Sequence, residues 1–209
     1  IKNKRFIGHD IDEIWDYKVV GIWQEEDREE AAKYGQQPGD VHLLDVDGNG
    51  SYTNEDKVFQ GTKTPRFRWN MRNEFTLFKN LTFSFSMYSY LGHKQTLGRF
   101  TNDNALLNVT NQIKREYWTP ENRNNEYPRL ASKKPSGVTY AIYKNASFLR
   151  FDNISLGYSF PKRLIEPLKI QALNINATMK NAGYISNWPG YDPENSDKNT
   201  PRIIYFGIN

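Results

Sequence analysis

The chain between Arg66 and Leu91 alternates apolar and polar positions more regularly than any other stretch. Phe67, Trp69, Met71, Phe75 and Leu77 fall on one parity with Asn73; Arg66, Arg68, Asn70, Arg72, Glu74 and Thr76 fall on the other. After Phe78-Lys79-Asn80 the pattern restarts, with Leu81, Phe83, Phe85, Met87 and Leu91 opposite Thr82, Ser84, Ser86, Tyr88 and Tyr90. A period of two means a strand with one apolar and one polar face. Two such runs about a short polar turn predict an antiparallel hairpin. Each run has the length of a membrane-crossing strand, about 9–11 residues, against about 5–6 for strands at large. Alternation alone fits a soluble sandwich and a transmembrane barrel equally.

Other elements follow from the same pattern. Residues 17–24 (YKVVGIWQ) read as a strand, and 25–34 (EEDREEAAKY) as a short solvated helix ended by Gly35. Residues 36–61 read as a loop. The polar, Asn-rich stretch 92–145 reads as one long connection with a helix over 106–118. Strand pattern returns over 148–160, 168–181 and 202–209, with a compact turn at 161–167 and a Gly/Asn/Pro loop at 183–200. Connections thus alternate short (78–80, 161–167) and long (25–64, 92–147, 183–200). Outer-membrane barrels have this asymmetry, with short periplasmic turns and long extracellular loops. It shifts the expectation to all-β, the strands of a large transmembrane antiparallel barrel. Five or six strands are too few to close a single-chain barrel, which takes at least about eight, so the chain is expected to be part of a larger one.

Composition removes other classes. The 209 residues are 37% hydrophobic and 14% aromatic, and no run approaches the roughly 20 apolar residues of a spanning helix. The net charge of +4 is dispersed, without the basic stripe of a nucleic-acid-binding protein. With no cysteine, disulfides and thiolate metal sites are excluded. The chain starts without Met or a signal peptide, and is expected to be processed or partial.

One loop carries candidate chemistry. Residues 45–56 (DVDGNGSYTNED) fit the twelve-position calcium loop. Asp45, Asp47 and Asn49 stand at positions 1, 3 and 5, Gly50 at the sharp turn of position 6, and Ser51 offers its carbonyl at position 7. Asp56 takes position 12 in place of the usual Glu. An all-oxygen donor set suits Ca²⁺ and not zinc. The competing reading is a metal-free Asp/Asn/Gly surface turn. His9, His42 and His93 show no partnering pattern and are read as surface residues. No nucleophile elbow or paired-carboxylate arrangement is present, so no enzymatic activity is expected. Trp118, Tyr127, Trp188 and Tyr191 in the long loops fit loop pinning better than ligand stacking.

Several stretches resemble one family: GIWQ (21–24), QPGDVHLLDVDGNGSYTNEDKVFQG (37–61), REYWTPEN (115–122), YPRL (127–130), ASFLRFDNISLGYSFPKRL (146–164), NAGY (181–184), GYDPE (190–194) and PRIIYFGIN (201–209). In this order they resemble the C-terminal part of SusC/RagA-type TonB-dependent outer-membrane transporters of Bacteroidetes. The resemblance implies that residues 1–209 are the C-terminal segment of a 22-stranded barrel in the outer membrane. Plug and N-terminal extension would be absent from this stretch. It further implies nutrient import of glycan or peptide oligomers, a SusD-like surface lipoprotein as partner, TonB as energy source through the missing N-terminal part, and contact with outer-membrane lipid. Two rivals stay open at this stage: a SusC-like structural subunit without transport, and a soluble calcium-binding β-sandwich adhesin.

Overall fold

A computed structural model describes residues 6–96, 116–195 and 198–209. In chain order its main elements are β1 (Glu13–Tyr17), β2 (Val19–Ile22), α1 (Arg28–Lys33), β3 (Val41–Leu43), β4 (Lys57–Thr62), β5 (Phe67–Leu77), β6 (Leu81–Leu91), β7 (Lys94–Thr96), β8 (Tyr143–Asn145), β9 (Phe148–Ser159), α2 (Lys162–Ile165), β10 (Asn174–Ser186) and β11 (Ile203–Ile208). They form two compact units, residues 1–64 with 94–144, and residues 65–93 with 145–209.

The second unit is a five-stranded antiparallel sheet in the order β11-β10-β9-β6-β5. The hairpin has the predicted strands, and Leu77 pairs with Leu81 across the turn. Phe78 and Lys79 both take positive φ there (49° and 68°). Asn80 ties the turn to the next strand, donating from Nδ2 to the Ser159 carbonyl at 2.7 Å.

Cross-strand register carries the two-faced pattern through the whole sheet. One row is Phe83, Leu156, Ala177 and Phe206; the adjacent rows are Leu81, Tyr158, Ile175, Ile208 and Phe85, Ile154, Met179, Ile204. The opposite face carries Ser84, Ser155 and Thr178, and the Ser155 and Thr178 hydroxyls bond at 2.8 Å. Phe75, Phe83 and Phe85 pack with ring centroids 5.9–6.3 Å apart, the aromatic contact that cross-strand neighbours favour. No element of this unit covers the apolar face among the described residues: Phe75 is 45% exposed, Ile208 76% and Phe206 82%. A sandwich would bury these rings against a second sheet.

The sheet's ends differ as the loop lengths imply. The 78–80 turn and the 160–173 connection lie at one end; the connections that follow β6 and β10 leave from the other. Register shifts in β9 opposite Ser86/Met87 and in β10 near Asn181 (φ 52°) lie next to one another. They re-aim the side chains between the mid-sheet and its long-connection end.

The first unit is built from short strand pairs, β1 with β4, β2 with β3, and β7 with β8. Its core holds Tyr17, Ile22, Val41, Leu43, Trp118 and Val138. Gly39 (φ 87°) turns directly against Trp118, where an added Cβ would lie 2.5 Å from the indole. The turn delivers Asp40, 1% exposed, to Arg129 Nε at 2.9 Å.

Several boundaries differ from the sequence reading. Residues 17–24 belong to two strands, broken at Lys18. The 36–61 loop contains β3 and most of β4. The strand expected over 168–181 starts at Asn174 and runs to Ser186, because Leu168 ends a 3₁₀ turn over 166–168, Lys169 turns the chain at a φ of 57°, and residues 170–173 join no strand. The helix expected over 106–118 falls largely outside the described residues.

Candidate functional site

The acidic loop leaves β3 and returns as β4, and its backbone is folded by its own carboxylates. Asp45 Oδ1 accepts from Gly48 N at 2.7 Å and Oδ2 from Gly50 N at 2.9 Å. Gly48 and Gly50 supply the positive φ of 70° and 81° that this tight wrap needs. Asp56, 0% exposed, accepts from Val46 N at 2.8 Å and Thr53 N at 2.7 Å, closing the loop from its far end. Thr53 Oγ1 in turn accepts from Glu55 N at 3.1 Å.

The first unit's aromatic residues hold the loop. Tyr34 donates to Asp45 Oδ2 at 2.8 Å, and its ring stacks on Tyr52 at 4.7 Å. Burial and the Asp45 carboxylate push the Tyr34 phenol up to about 12. Burial acts to raise the Asp45 pKa, but the Gly50 and Gly48 N–H groups and the Tyr34 hydroxyl outweigh it, holding the acid down at about 2. Asp45 is therefore a carboxylate at any physiological pH.

Of the predicted ligands, the loop brings Asp45, Asp47 and Asp56 together, each offering one carboxylate oxygen within 4.8 Å of the others. Oxygens bound to one Ca²⁺ at about 2.3–2.6 Å can be up to about 5.2 Å apart, so one ion can reach all three. Asn49 and Ser51 are joined to each other: Asn49 Oδ1 accepts from Ser51 Oγ at 2.6 Å and Ser51 N at 2.8 Å. A ring of carboxylates this tight is mutually repulsive, and a divalent cation offsets that repulsion.

A second cluster went unseen in the sequence. Arg150, on the polar face of β9, is 2% exposed and its partner Asp192 1%. Arg150 Nη2 donates to Asp192 Oδ1 at 2.5 Å, and Nη1 donates to Asn181 Oδ1 at 2.5 Å. Its Nε lies 3.3 Å from Glu194 Oε2, and that carboxylate also accepts from the Tyr88 hydroxyl at 2.7 Å. Asp192 further accepts from Glu194 N at 2.9 Å and Thr200 Oγ1 at 2.7 Å. Asn181 Nδ2 donates to the Thr200 carbonyl at 2.6 Å. One guanidinium thus fastens the 187–202 loop to the polar face of β9 and β10. Burial alone would raise the Asp192 pKa; the Thr200 hydroxyl, the Glu194 N–H and Arg150 hold it below the ordinary carboxylate value. The interaction is fully present above that ordinary value and is lost as pH falls through the depressed one. Its sequence signal was an arginine inside the apolar run FLRF, since a charge there demands a buried partner.

The remaining candidates resolve simply. Trp118 is buried and donates from Nε1 to Gln24 Oε1 at 3.0 Å; Trp188 is buried and packs on Gly190. Both pin loops. Tyr191 offers its carbonyl to the Tyr184 hydroxyl. His93 is 4% exposed, not the surface residue expected, because it lies where β6 meets the chain returning at Ala146. His42 is partly covered by the Trp23 ring, stacked at 3.5 Å.

No protein-family model matches the chain. Curated relatives do. TonB-dependent receptor P3 of Formosa agariphila is 25% identical over 92% of the chain, and TonB-dependent receptor P26 of the same organism 23% over 91%. TonB-dependent receptor SusC of Bacteroides thetaiotaomicron is 29% identical over 76% of it. The chain spans 16–20% of these proteins' lengths. Among solved structures, the RagAB peptide transporter superposes with a TM-score of 0.62 at 18% identity, covering 94% of this chain and 22% of the other. The closed-closed state of the RagAB peptide importer gives 0.61 at 19% identity, with 93% and 22% covered. Over most of its length the chain is thus similar in sequence to part of TonB-dependent receptors, SusC among them, and in fold to part of the RagAB transporter.

Proposed function

We propose that this chain is the C-terminal part of the barrel wall of a nutrient importer that takes up oligomers, glycan or peptide, too large for diffusion pores. Its location is the outer membrane, as for SusC/RagA-type receptors. One observation carries the reading: a five-stranded sheet whose apolar face is left open while its polar face clamps a long loop through Arg150. In a barrel the open face meets lipid and the clamped face lines the lumen. Such a protein binds and translocates, and does no covalent chemistry. A SusD-like surface lipoprotein would cap the long-loop side, and TonB would supply energy through another part of the full-length protein.

The sidedness is testable. Cysteines replacing Lys79 in the short turn and Glu121 in the long connection, each in the full-length receptor, are probed with an impermeant maleimide on whole cells. Glu121→Cys is expected to react and Lys79→Cys to stay unlabelled until the cells are opened. The reverse pattern would invert the orientation.

On the extracellular side, the 45–56 loop would hold Ca²⁺ through Asp45, Asp47, Asn49, Asp56 and the Ser51 carbonyl. The ion would fix the loop's shape for the lipoprotein partner. Extracellular calcium modules bind at about 10⁻⁴–10⁻³ M, so occupancy would follow the medium. Asp45→Ala with Asp47→Ala is expected to abolish calcium uptake measured by titration calorimetry while the barrel still assembles. Unchanged uptake in the double variant would remove the ion from the account.

A further inference from the structure

The apolar face of the sheet is not uniform. Ala177 lies in a row with Leu156 and Phe206, and the next row toward the short-turn end holds Tyr158, Ile175 and Ile208. The methyl group among large neighbours leaves an open hollow of about 370 Å³ lined by these side chains. Tyr158 also packs edge-on against Phe160 at 5.0 Å, and among the described residues its hydroxyl has no hydrogen-bond partner. An apolar ring with a polar tip at this height suits a membrane–water boundary.

Beyond the hollow, the short-turn end is basic. Residues 78–80 and 160–173 carry Lys79, Lys162, Arg163 and Lys169 against a single acid, Glu166. All four basic side chains are exposed, and among the described residues none makes an ion pair. Lys162 and Lys169 line a second hollow, of about 650 Å³, together with Glu166, Ile170, Gln171 and Ala172, so two cations there face one acid. Leu164 and Leu168 of the same connection are 53% and 67% exposed. Apolar side chains held out beside lysines and arginine form an interfacial pattern: the carbon chains enter the acyl boundary while the cations stay at the headgroups.

We infer that this end of the sheet is a binding site for an anionic glycerophospholipid of the inner leaflet. One acyl chain lies in the hollow over Ala177, and the headgroup phosphate faces Lys162, Lys169 and their basic neighbours. The occupant follows from two features together. The hollow is continuous with the face that meets lipid, so an acyl chain is its natural filling. The cations beside it are unpaired, so an anionic headgroup is preferred to a zwitterionic one. The inference rests on the barrel reading above, which sets the short turns on the periplasmic side, where the leaflet is phospholipid.

Native mass spectrometry of the full-length receptor, extracted in mild detergent, delipidated and titrated with phosphatidylglycerol or phosphatidylcholine, tests it. Folding is checked by heat-modifiable migration. Wild type is expected to bind phosphatidylglycerol about tenfold more tightly. Ala177→Leu, which fills the hollow, is expected to weaken both lipids about fivefold. Lys162→Glu with Lys169→Glu is expected to abolish the headgroup preference while weak phosphatidylcholine binding persists. Equal affinity for the two lipids in wild type, unchanged binding in both variants, or retention of lipopolysaccharide in place of phospholipid would overturn the site. A receptor that stays soluble without detergent would instead overturn the barrel reading itself.

Discussion

Arg150→Ala in the full-length receptor is expected to destabilise the folded barrel by about 3–5 kcal/mol, the usual consequence of removing one partner of a buried ion pair. The reason lies in what is left behind. Asp192, 1% exposed, would keep its bonds from Thr200 and the Glu194 N–H but lose the positive charge that balances it. Asn181 Oδ1 would lose its 2.5 Å donor as well. The 187–202 loop is expected to leave the lumenal face and become sensitive to protease. Arg150→Met with Asp192→Leu removes both charges together and is expected to cost less than Arg150→Ala alone. Urea unfolding of the purified receptor in detergent, followed by heat-modifiable migration, reads both numbers. A loss below about 0.5 kcal/mol for Arg150→Ala, the range of an ordinary surface change, would mean that the clamp does not hold the loop.

Phe85→Arg is expected to reduce barrel assembly severely, while its neighbour Ser84→Arg is tolerated. Phe85 shares the open apolar face with Phe83 and Met87; Ser84 points to the opposite face, across from Ser155. An arginine facing lipid near mid-membrane costs about 2–4 kcal/mol, whereas a lumenal one stays in water. The comparison controls for size and charge, because the same residue is added at adjacent positions. Outer-membrane levels of the folded form measure it. Equal tolerance at both sites would mean that neither face meets lipid.

How much was legible in the sequence varied with the kind of interaction. The β5–β6 hairpin was readable because each strand alternates over 11 residues with a single polar residue on the apolar parity, Asn73 in β5 and Ser89 in β6, and its register is set by that alternation. β10 was misplaced because the apolar residues Leu168, Ile170 and Leu173 made 168–173 look like more of the same strand, although Leu168 closes a 3₁₀ turn and the strand begins only at Asn174. Bulges near Asp152 and Asn181 were invisible, since nothing local marks where a partner strand adds a residue. That Asp45, Asp47 and Asp56 lie together could be read because they are close in sequence. The Arg150–Asp192 clamp spans 42 residues, and a single sequence does not say which distant acid meets which base. The same holds for Asp40 and Arg129, separated by 89 residues.

The central claim is that this sheet is a membrane-spanning wall with lipid on one face and water on the other. Its most direct test is a nitroxide scan from Leu81 to Leu91 in the full-length receptor reconstituted in bilayers. Each label's accessibility is compared between oxygen, which partitions into lipid, and a water-soluble nickel chelate. The account predicts a period of two, with 81, 83, 85 and 87 favouring oxygen and 82, 84 and 86 favouring nickel. A profile without that period, or with nickel reaching both parities equally, would contradict it.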